Sequence, residues 1–383
     1  MKGNEKMTRI SPVILLVSNN GKGFFNFKNE LVKELVSVGF QVHFAVPFDK
    51  CLQELIDFGA FYHVLNVDRR GMNPIADLKY IYNLAFLVKK VKPDCVVLHT
   101  IKPNIYGGFI CRIGKIPYLN NITGLGSALQ NHSFFSFLLR KMYRVSLKKT
   151  RGIFFENEDN QRHFEKWKIG NIADHVVVKG AGVNTNYFKD DKLDVAKQSS
   201  VSRFLFIARI MKEKGIGEFL KAAEKVKLEY KRLVEFQILG YYDEDIWKEK
   251  IEDLSARGIV SYLGVSDDTR QEMKNANCIV LPSYHEGMSN VLLEGAAMGL
   301  PLITTDVPGC REAVDDGVTG YICKKGDEKS LADAMRKFIR LPADKRKEMG
   351  MKGRLKMINE FERQKVIEQY MKFIRKCCDE IYS

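Results

Sequence analysis

Two carboxylates with seven residues between them stand in a stretch that otherwise has the make-up of a buried element. Glu286 and Glu294 fall within SYHEGMSNVLLEGAAMGLP, residues 283–301, and Glu294 interrupts the apolar run from Val291 to Met298. The run Ile279–Pro282 reads as a buried strand, and Ser289 is a suitable cap for a helix that begins there. Glu286 is then placed in a loop at the carboxyl end of a strand, where open α/β sheets bind ligands. Glu294 falls about one and a half turns into the helix.

The start of a helix has unpaired N–H groups and a dipole that attracts anions. Gly287 lets the backbone approach closely. The amides of Gly287, Met288, Ser289 and Asn290 are therefore expected to face an anion. Carboxylates repel phosphate but accept hydrogen bonds from hydroxyls. An anion site flanked by two acids suits a ligand with hydroxyls on either side of a diphosphate, as in a nucleotide sugar. The alternative is a solvated loop acid and an exposed helix acid. Leu292, Leu293, Ala296, Ala297 and Met298 leave little of that helix polar, and a buried carboxylate without a partner is costly.

Cations are expected at the same place. Phe206-Ile207-Ala208-Arg209 ends a strand and Lys214-Gly215 opens the next helix. Arginine suits bidentate phosphate contact and lysine supplies a point charge; the alternative is a pair of surface cations. Ser18-Asn19-Asn20-Gly21-Lys22-Gly23 follows the first strand as a glycine turn that lets backbone approach a phosphate or an acceptor. His99 ends another buried strand and is followed by Lys102 and Asn104, a place from which it could assist an acceptor hydroxyl or act as a core histidine. His285 adjoins Glu286. Asp243-Glu244-Asp245 offers a second chemistry, a divalent metal with a diphosphate, or acids that complement the dipole of a helix over Ile246–Leu254. No Ser/His/Asp arrangement, CxxC or Cys/His zinc spacing occurs.

The elements that must position these residues alternate. Short apolar runs at Val13–Val17, Val42–Val46, Phe61–Val67, Cys95–His99, Pro117–Asn121, Gly152–Glu156 and Val176–Val178 read as strands, with helix-period segments between several of them. Asn73-Pro74 opens one helix, with Asn as cap and Pro at its first position. The pattern restarts with strands at Arg203–Ile207, Val234–Leu239, Val260–Leu263, Cys278–Leu281, Pro301–Thr305 and Gly320–Cys323. This predicts two α/β domains with parallel sheets: residues 1–183, a linker over 184–202, residues 203–361, and a C-terminal helix over 362–383 that returns to the first domain. A cleft between the domains would hold the ligand, and its closure would exclude water.

The string EGMSNVLLE, then GLPLITTD and VPGCREAVDDGVTGYI, resembles the retaining glycosyltransferases of family four, which have the GT-B fold of two Rossmann-like domains. HTIKPNIYGG and NNITGLGSA resemble the branch that builds bacterial surface polysaccharides and lipid-linked oligosaccharides. The resemblance implies that Glu286 holds donor-sugar hydroxyls, Glu294 the ribose, and the amides of Gly287 to Asn290 the diphosphate. It also implies that Arg209 and Lys214 stabilise the leaving diphosphate without a metal, with Ala208 where the family has glycine. Gly23 belongs to the loop that covers the donor, and the backbone at Val265 reads the base. The first domain would bind the acceptor, through His99, Lys102, Asn104 and Thr123 and the loop through Leu125. The expected reaction is retaining transfer of a hexose or N-acetylhexosamine from a UDP-sugar to a lipid-linked saccharide, with no cofactor besides the donor.

The chain has 383 residues, 45% hydrophobic and 28% charged, enough for two cores, and a net charge of +14. Such a charge points to an anionic partner. Ser133–Arg151, SFFSFLLRKMYRVSLKKTR, sets aromatic residues beside six cations in the manner of an interfacial membrane helix, or of a core helix with a basic face. No recognition motif for nucleic acid occurs, and two acids in the ligand site would oppose a polyphosphate chain. The basic start followed by Val13–Val17 mimics a secretion signal, but Asn19-Asn20-Gly21 follows where small residues would be needed. Eight cysteines are expected to be reduced thiols. The expectation is a cytoplasmic enzyme held on the inner face of a membrane. The competing classes are a metal-dependent transferase using Asp243 and Asp245, and a non-catalytic basic protein.

Overall fold

A computed structural model describes residues 11–68, 73–125, 129, 133–190 and 201–382. The first ten residues, the stretch 126–128 of NNITGLGSA and most of the expected linker, 191–200, lie outside the described residues. The chain divides into two compact units, Met1–Ala181 with Ile367–Ser383, and Gly182–Val366.

The first unit is built on seven parallel strands: β1 (Val13–Val17), β2 (Gln41–Val46), β3 (Phe61–Val64), β4 (Cys95–His99), β5 (Tyr118–Ile122), β6 (Gly152–Phe155) and β7 (His175–Val177), in the order β3-β2-β1-β4-β5-β6-β7. The described residues of β1, β4, β5 and β6 are buried throughout. That is the condition of a parallel sheet covered on both faces, and it explains their unbroken apolar runs. Leu16 pairs with Val97 where β1 meets β4. Strand order reverses there, which opens a crevice at the carboxyl ends of these two strands.

Helix α1 (Gly21–Ser37) follows β1, α2 (Gln53–Asp57) follows β2 and α3 (Pro74–Val91) follows β3. Asn73 caps α3 by accepting from the amides of Ile75 and Ala76, as its sequence position predicts. After β4 the chain makes a π turn over Pro103–Gly107 before α4 (Gly108–Gly114), instead of the simple helix expected from Asn104. The turn accommodates Asn104, whose buried side chain donates to the Asn121 carbonyl at 2.8 Å. Helices α5 (Phe134–Ser146) and α6 (Glu158–Lys166) complete the first run of helices.

The second unit has six parallel strands: β8 (Ser202–Ile207), β9 (Val234–Leu239), β10 (Ser261–Tyr262), β11 (Cys278–Leu281), β12 (Leu302–Thr305) and β13 (Gly320–Cys323), in the order β10-β9-β8-β11-β12-β13. The reversal lies between β8 and β11. Helices α7 (Ile216–Tyr230), α8 (Ile246–Ala256), α9 (Arg270–Asn275), α10 (Asn290–Ala297), α11 (Glu328–Arg340) and α12 (Ala343–Lys356) connect and follow the strands. Its core contains Phe204 stacked on Phe236 at 5.3 Å, and Phe338 edge-on to Phe204 at 5.5 Å.

Helix α13 (Arg363–Tyr382) carries the chain back to the first unit from Ile367 onward. There the Tyr370 ring stacks on Phe154 at 4.3 Å, and Lys28 Nζ stands 3.1 Å from the Tyr370 hydroxyl. All eight cysteines are free thiols.

Candidate active site

In the second unit, Arg209 and Lys214 follow β8, and residues 282–290 follow β11. These strands flank the reversal, so the folding rule that creates a crevice there also brings the sequence-predicted residues to it. Lys214 Nζ lies 2.5 Å from Glu286 Oε1, and both side chains are mostly buried. The two loops are held in register by backbone contacts. Tyr284 N–H donates to the Glu213 carbonyl at 2.8 Å, and Ser283 Oγ donates to the same oxygen at 3.2 Å. Gly215 adopts φ +75°, and a Cβ there would stand 2.0 Å from the Pro282 carbonyl oxygen. Only glycine allows this approach.

A second brace comes from the loop after β12. Gly309 has φ +81°, and a Cβ would meet the Gly287 carbonyl oxygen at 2.6 Å. Its carbonyl accepts from Ser289 N–H at 2.8 Å, and the Pro308 carbonyl accepts from Glu286 N–H at 3.3 Å. This corrects one expectation: the Ser289 amide is committed to Gly309 and does not stand open to an anion. Ser289 occupies the cap position of α10, but its side chain makes no capping bond. Among the described residues the amides of Met288, Asn290 and Val291 have no backbone partner. The buried Asn290 Oδ1 accepts no hydrogen bond among the described residues. Gly287 lies between the braced Glu286 and buried Met288.

Glu294 is half-buried on α10 and accepts no hydrogen bond among the described residues. Withdrawal from water pushes its carboxyl up to about 7, against the opposing pull of the Arg363 guanidinium. Arg363 is itself 6% exposed, and its Nη2 donates to the Gly182 carbonyl at 3.4 Å. The sequence reading missed Arg363. It lies 69 positions along the chain, at the start of a helix whose pattern gives no hint of Glu294, so only the fold reveals it.

Arg209 Nη1 stands 3.1 Å from Asp243 Oδ2. Two of the three acids in Asp243-Glu244-Asp245 thus have protein partners: beside that Asp243 pair, Glu244 Oε2 accepts from Lys212 N–H at 2.9 Å and from Trp247 Nε1 at 2.8 Å. Among the described residues no group of three or more His, Cys, Asp or Glu side chains is arranged to hold a metal ion. Burial lowers the His285 imidazole below its ordinary value, with Glu286 pulling the other way.

Val265 is exposed at the carboxyl end of β10, after Gly264 at φ +81°. The ends of β8, β9 and β10 are laced together. Gly240 N–H donates to the Gly264 carbonyl at 2.8 Å, and a Cβ at Gly240 would stand 1.8 Å from the Ala208 carbonyl oxygen.

The first unit places its predicted residues at its own reversal. His99 is 3% exposed, and its Nδ1 stands 3.1 Å from Asn121 Nδ2. With the amide donating, the ring proton sits on Nε2, which is buried and makes no hydrogen bond among the described residues. Burial and nearby Lys28 hold the imidazole well below its ordinary value. Asn104 joins the same network, with Asn120 Nδ2 donating to its Oδ1 at 3.0 Å. Thr100, next to His99, has φ +74°, an uncommon strain for a β-branched residue. Thr123 follows β5, half-buried. Lys102 does not join the network: its Nζ lies 2.6 Å from Asp77 Oδ1, and the Tyr106 hydroxyl donates to Asp77 Oδ2 at 2.8 Å. Gly23 is not in a loop, because α1 begins at Gly21 with Asn20 as its cap. A Cβ at Gly23 would collide with the Asn20 side chain at 2.4 Å.

On α5, Phe134 is 82% exposed and Phe137 54%, while Leu139 and Tyr143 join the core. Two of the six cations serve structure: Arg140 stacks on the Trp167 ring at 4.1 Å, and Arg144 Nη2 donates to the Trp167 carbonyl at 2.6 Å. The sequence reading also missed an apolar stripe on α3, where Ile75, Leu78, Tyr82 and Phe86 are all exposed. Among the described residues no helix is long and apolar enough to cross a membrane.

Residues 13–157 match the family model "Glycosyl transferase 4-like", and residues 201–340 match "Glycosyl transferases group 1". The chain is 29% identical over 335 residues to the N,N'-diacetylbacillosaminyl-diphospho-undecaprenol alpha-1,3-N-acetylgalactosaminyltransferase of Campylobacter jejuni, covering 83% of this chain and 86% of that one. It is 26% identical over 290 residues to the UDP-Gal:alpha-D-GlcNAc-diphosphoundecaprenol alpha-1,3-galactosyltransferase of Escherichia coli, covering 72% and 73%. Its fold is similar to that of the Anabaena protein HepE in complex with UDP and glucose, with a TM-score of 0.78 at 16% identity, covering 95% of this chain and all of that one.

Proposed function

We propose, for a chain that belongs to the family 4 glycosyltransferases of GT-B fold, that it moves a hexose or N-acetylhexosamine from a UDP-sugar to a lipid-linked saccharide, with retention at the anomeric carbon. The observation that carries this reading is the Lys214–Glu286 pair, mostly buried beside the open amides of α10 and held by two glycine-dependent braces. A cation and an acid kept together there suit a ligand with a phosphate on one side and hydroxyls on the other.

In this reading Lys214 turns from Glu286 to the diphosphate when donor binds, and Glu286 accepts from the sugar hydroxyls. Arg209 exchanges part of its contact with Asp243 for a phosphate oxygen. The amides of Met288, Asn290 and Val291 add donors at the positive end of α10. These groups stabilise the charge that develops on the departing diphosphate, the largest electrostatic demand of the reaction. They are protein cations and dipoles, so the proposal assigns no step to a metal. Glu294 holds the ribose hydroxyls, and the backbone near Val265 contacts the base. On the acceptor side His99 serves as a hydrogen-bond donor through Nε2, and not as a base, because that nitrogen carries the proton. The departing phosphate oxygen takes the proton of the acceptor hydroxyl.

The acceptor reading rests on the names of the Campylobacter and Escherichia relatives, both of which act on diphospho-undecaprenol saccharides. The exposed apolar residues of α3 and α5, with Lys141 beside Phe137, support attachment to an anionic membrane on the cytoplasmic side. The test incubates the protein with UDP-hexoses, UDP-N-acetylhexosamines and undecaprenyl-diphosphate saccharides, and determines the anomeric configuration of any product. Nucleotide sugars are also screened for protection against heat, where a ligand at about 100 times its dissociation constant adds about 2.7 kcal/mol. Absence of both transfer and protection across the panel would overturn the proposal.

A further inference from the structure

The first unit has a cavity of about 610 Å³ that lies away from the carboxyl ends of its strands. Its walls are the last turn of α4, the entry to β5 at Pro117 and Tyr118, the entry to β6 at Thr150, and the end of α13 at Phe373 and Cys377. It is therefore at the amino edge of the sheet, opposite the edge that carries His99 and Thr123.

Its charge is one-sided. Arg112, Lys115, Lys148, Lys149, Arg151 and Lys376 line it, and Asp174 is the single acid. Lys115, Lys148, Lys149 and Lys376 are exposed, and none has a carboxylate within ion-pair distance among the described residues. One ordinary reason for cations here is the negative end of a helix dipole, since α4 and α5 both terminate at the cavity. Each helix end is equivalent to only about half an elementary charge. Arg112 answers one of these ends by donating to the Val145 carbonyl at 3.0 Å. Two helix ends and Asp174 together balance about two of the six cations. The local backbone donors are already used: Lys149 N–H donates to the Tyr118 hydroxyl at 3.3 Å, and Arg151 N–H to the Tyr118 carbonyl at 2.9 Å. Any anion must therefore be held by the side-chain ammonium and guanidinium groups.

We infer that this cavity is a second anion site, which binds a phosphate ester independently of the transfer reaction. Its volume admits a diphosphate or a phosphodiester headgroup with its polar substituent, and Lys115 after α4, Lys148 and Lys149 after α5, and Lys376 on α13 can close on several oxygens at once. The ammonium groups around a hollow also lined by Ile116, Pro117 and Phe373 suit phosphate better than a lone carboxylate, because three or four separate charges can reach several of its oxygens. The ester can reach the site from a lipid surface or from solution, and the chemistry of recognition is the same.

The experiment uses the full chain and the variant Lys115→Ala/Lys149→Ala/Lys376→Ala. A control variant, Lys221→Ala/Lys248→Ala/Lys274→Ala, loses the same charge from exposed positions of the second unit. One arm measures sedimentation with mixed phosphatidylglycerol–phosphatidylcholine vesicles, and the other titrates inorganic pyrophosphate calorimetrically. Loss of three cations from a phosphate site is expected to weaken binding by about a hundredfold, and the control by no more than a few-fold. Selective loss in the vesicle arm assigns the site to a lipid headgroup, and selective loss in the pyrophosphate arm to a soluble ester. If the cavity and control variants match in both arms, the site does not exist. Melting curves of both variants check that each is folded. UDP-sugar transfer in detergent solution, far from any vesicle, is expected to survive in both.

Discussion

Replacing Glu294 by Gln should stabilise the empty protein while abolishing its grip on UDP. The carboxyl titrates near 4.5 in the unfolded chain and is pushed up to about 7 in the folded one, chiefly by loss of water. A raised carboxyl binds its proton more tightly when folded, so the native state holds more protons than the unfolded state between these values. Stability then falls as pH rises through this window. Below it Glu294 is neutral in both states and has no effect. Above it the full penalty applies, about 3 kcal/mol for a displacement of this size. Gln keeps the shape and cannot ionise. At about pH 8 the variant should be more stable by roughly 2–3 kcal/mol, which for a unit of this length corresponds to about 4–12 °C in melting temperature. At about pH 4.5 the two proteins should melt together. The measurement is a pair of calorimetric melts at both pH values, with UDP titrated into each protein. Equal melting at both pH values, or a variant that is less stable at about pH 8, would refute the account of Glu294 as a carboxylate strained by burial.

Four further outcomes follow from the geometry. If the ribose is held by ionised Glu294, as proposed, UDP affinity in the wild type should rise with pH up to about 7, by as much as tenfold per pH unit; isothermal titration across that range checks it. Lys214→Met should lower kcat at least a hundredfold and also destabilise the fold by about 1–3 kcal/mol, because it takes the Lys214 cation away from mostly buried Glu286; single-turnover kinetics and urea melts separate the two. Gly309→Ala should weaken donor binding at least tenfold, since its Cβ would press on the Gly287 carbonyl and displace the brace at Ser289; intact affinity would show that the brace is dispensable. Asp243→Asn should leave activity within a few-fold and chelator should have no effect, if Asp243 acts as the partner of Arg209 and not as a metal ligand; a chelator-sensitive wild type would reverse that assignment.

The fold was legible because parallel strands covered on both faces carry unbroken apolar runs, and Val13–Val17 and Cys278–Leu281 stand out between helical segments. Where strands are short and exposed the reading was less sharp. Val260–Leu263 looks like a full strand, but only Ser261 and Tyr262 pair with β9, both exposed at the sheet edge. The Glu286 and Glu294 spacing drew attention because polar residues in apolar runs are costly and need a reason. The partners were not. Nothing local to Lys102 announces Asp77, nothing near Glu294 announces Arg363, and the commitment of the Ser289 amide depends on a loop twenty residues later. Gly23 was misplaced for a related reason: Gly21 and Gly23 suggest a turn, yet both fit the first turn of α1, where their missing side chains make room for the Pro47 carbonyl and the Asn20 amide.

The bond between Lys214 and Glu286 has a consequence for turnover. In the empty enzyme acid and base neutralise one another. In the proposed donor pose both are engaged again, one by phosphate and one by sugar. Once the sugar has gone, the spent nucleotide of that pose still draws the lysine away and has no sugar hydroxyl for the glutamate. On that reading the product is the occupant that parts Glu286 from Lys214 with least in exchange, and restoring the original pair helps to drive it out.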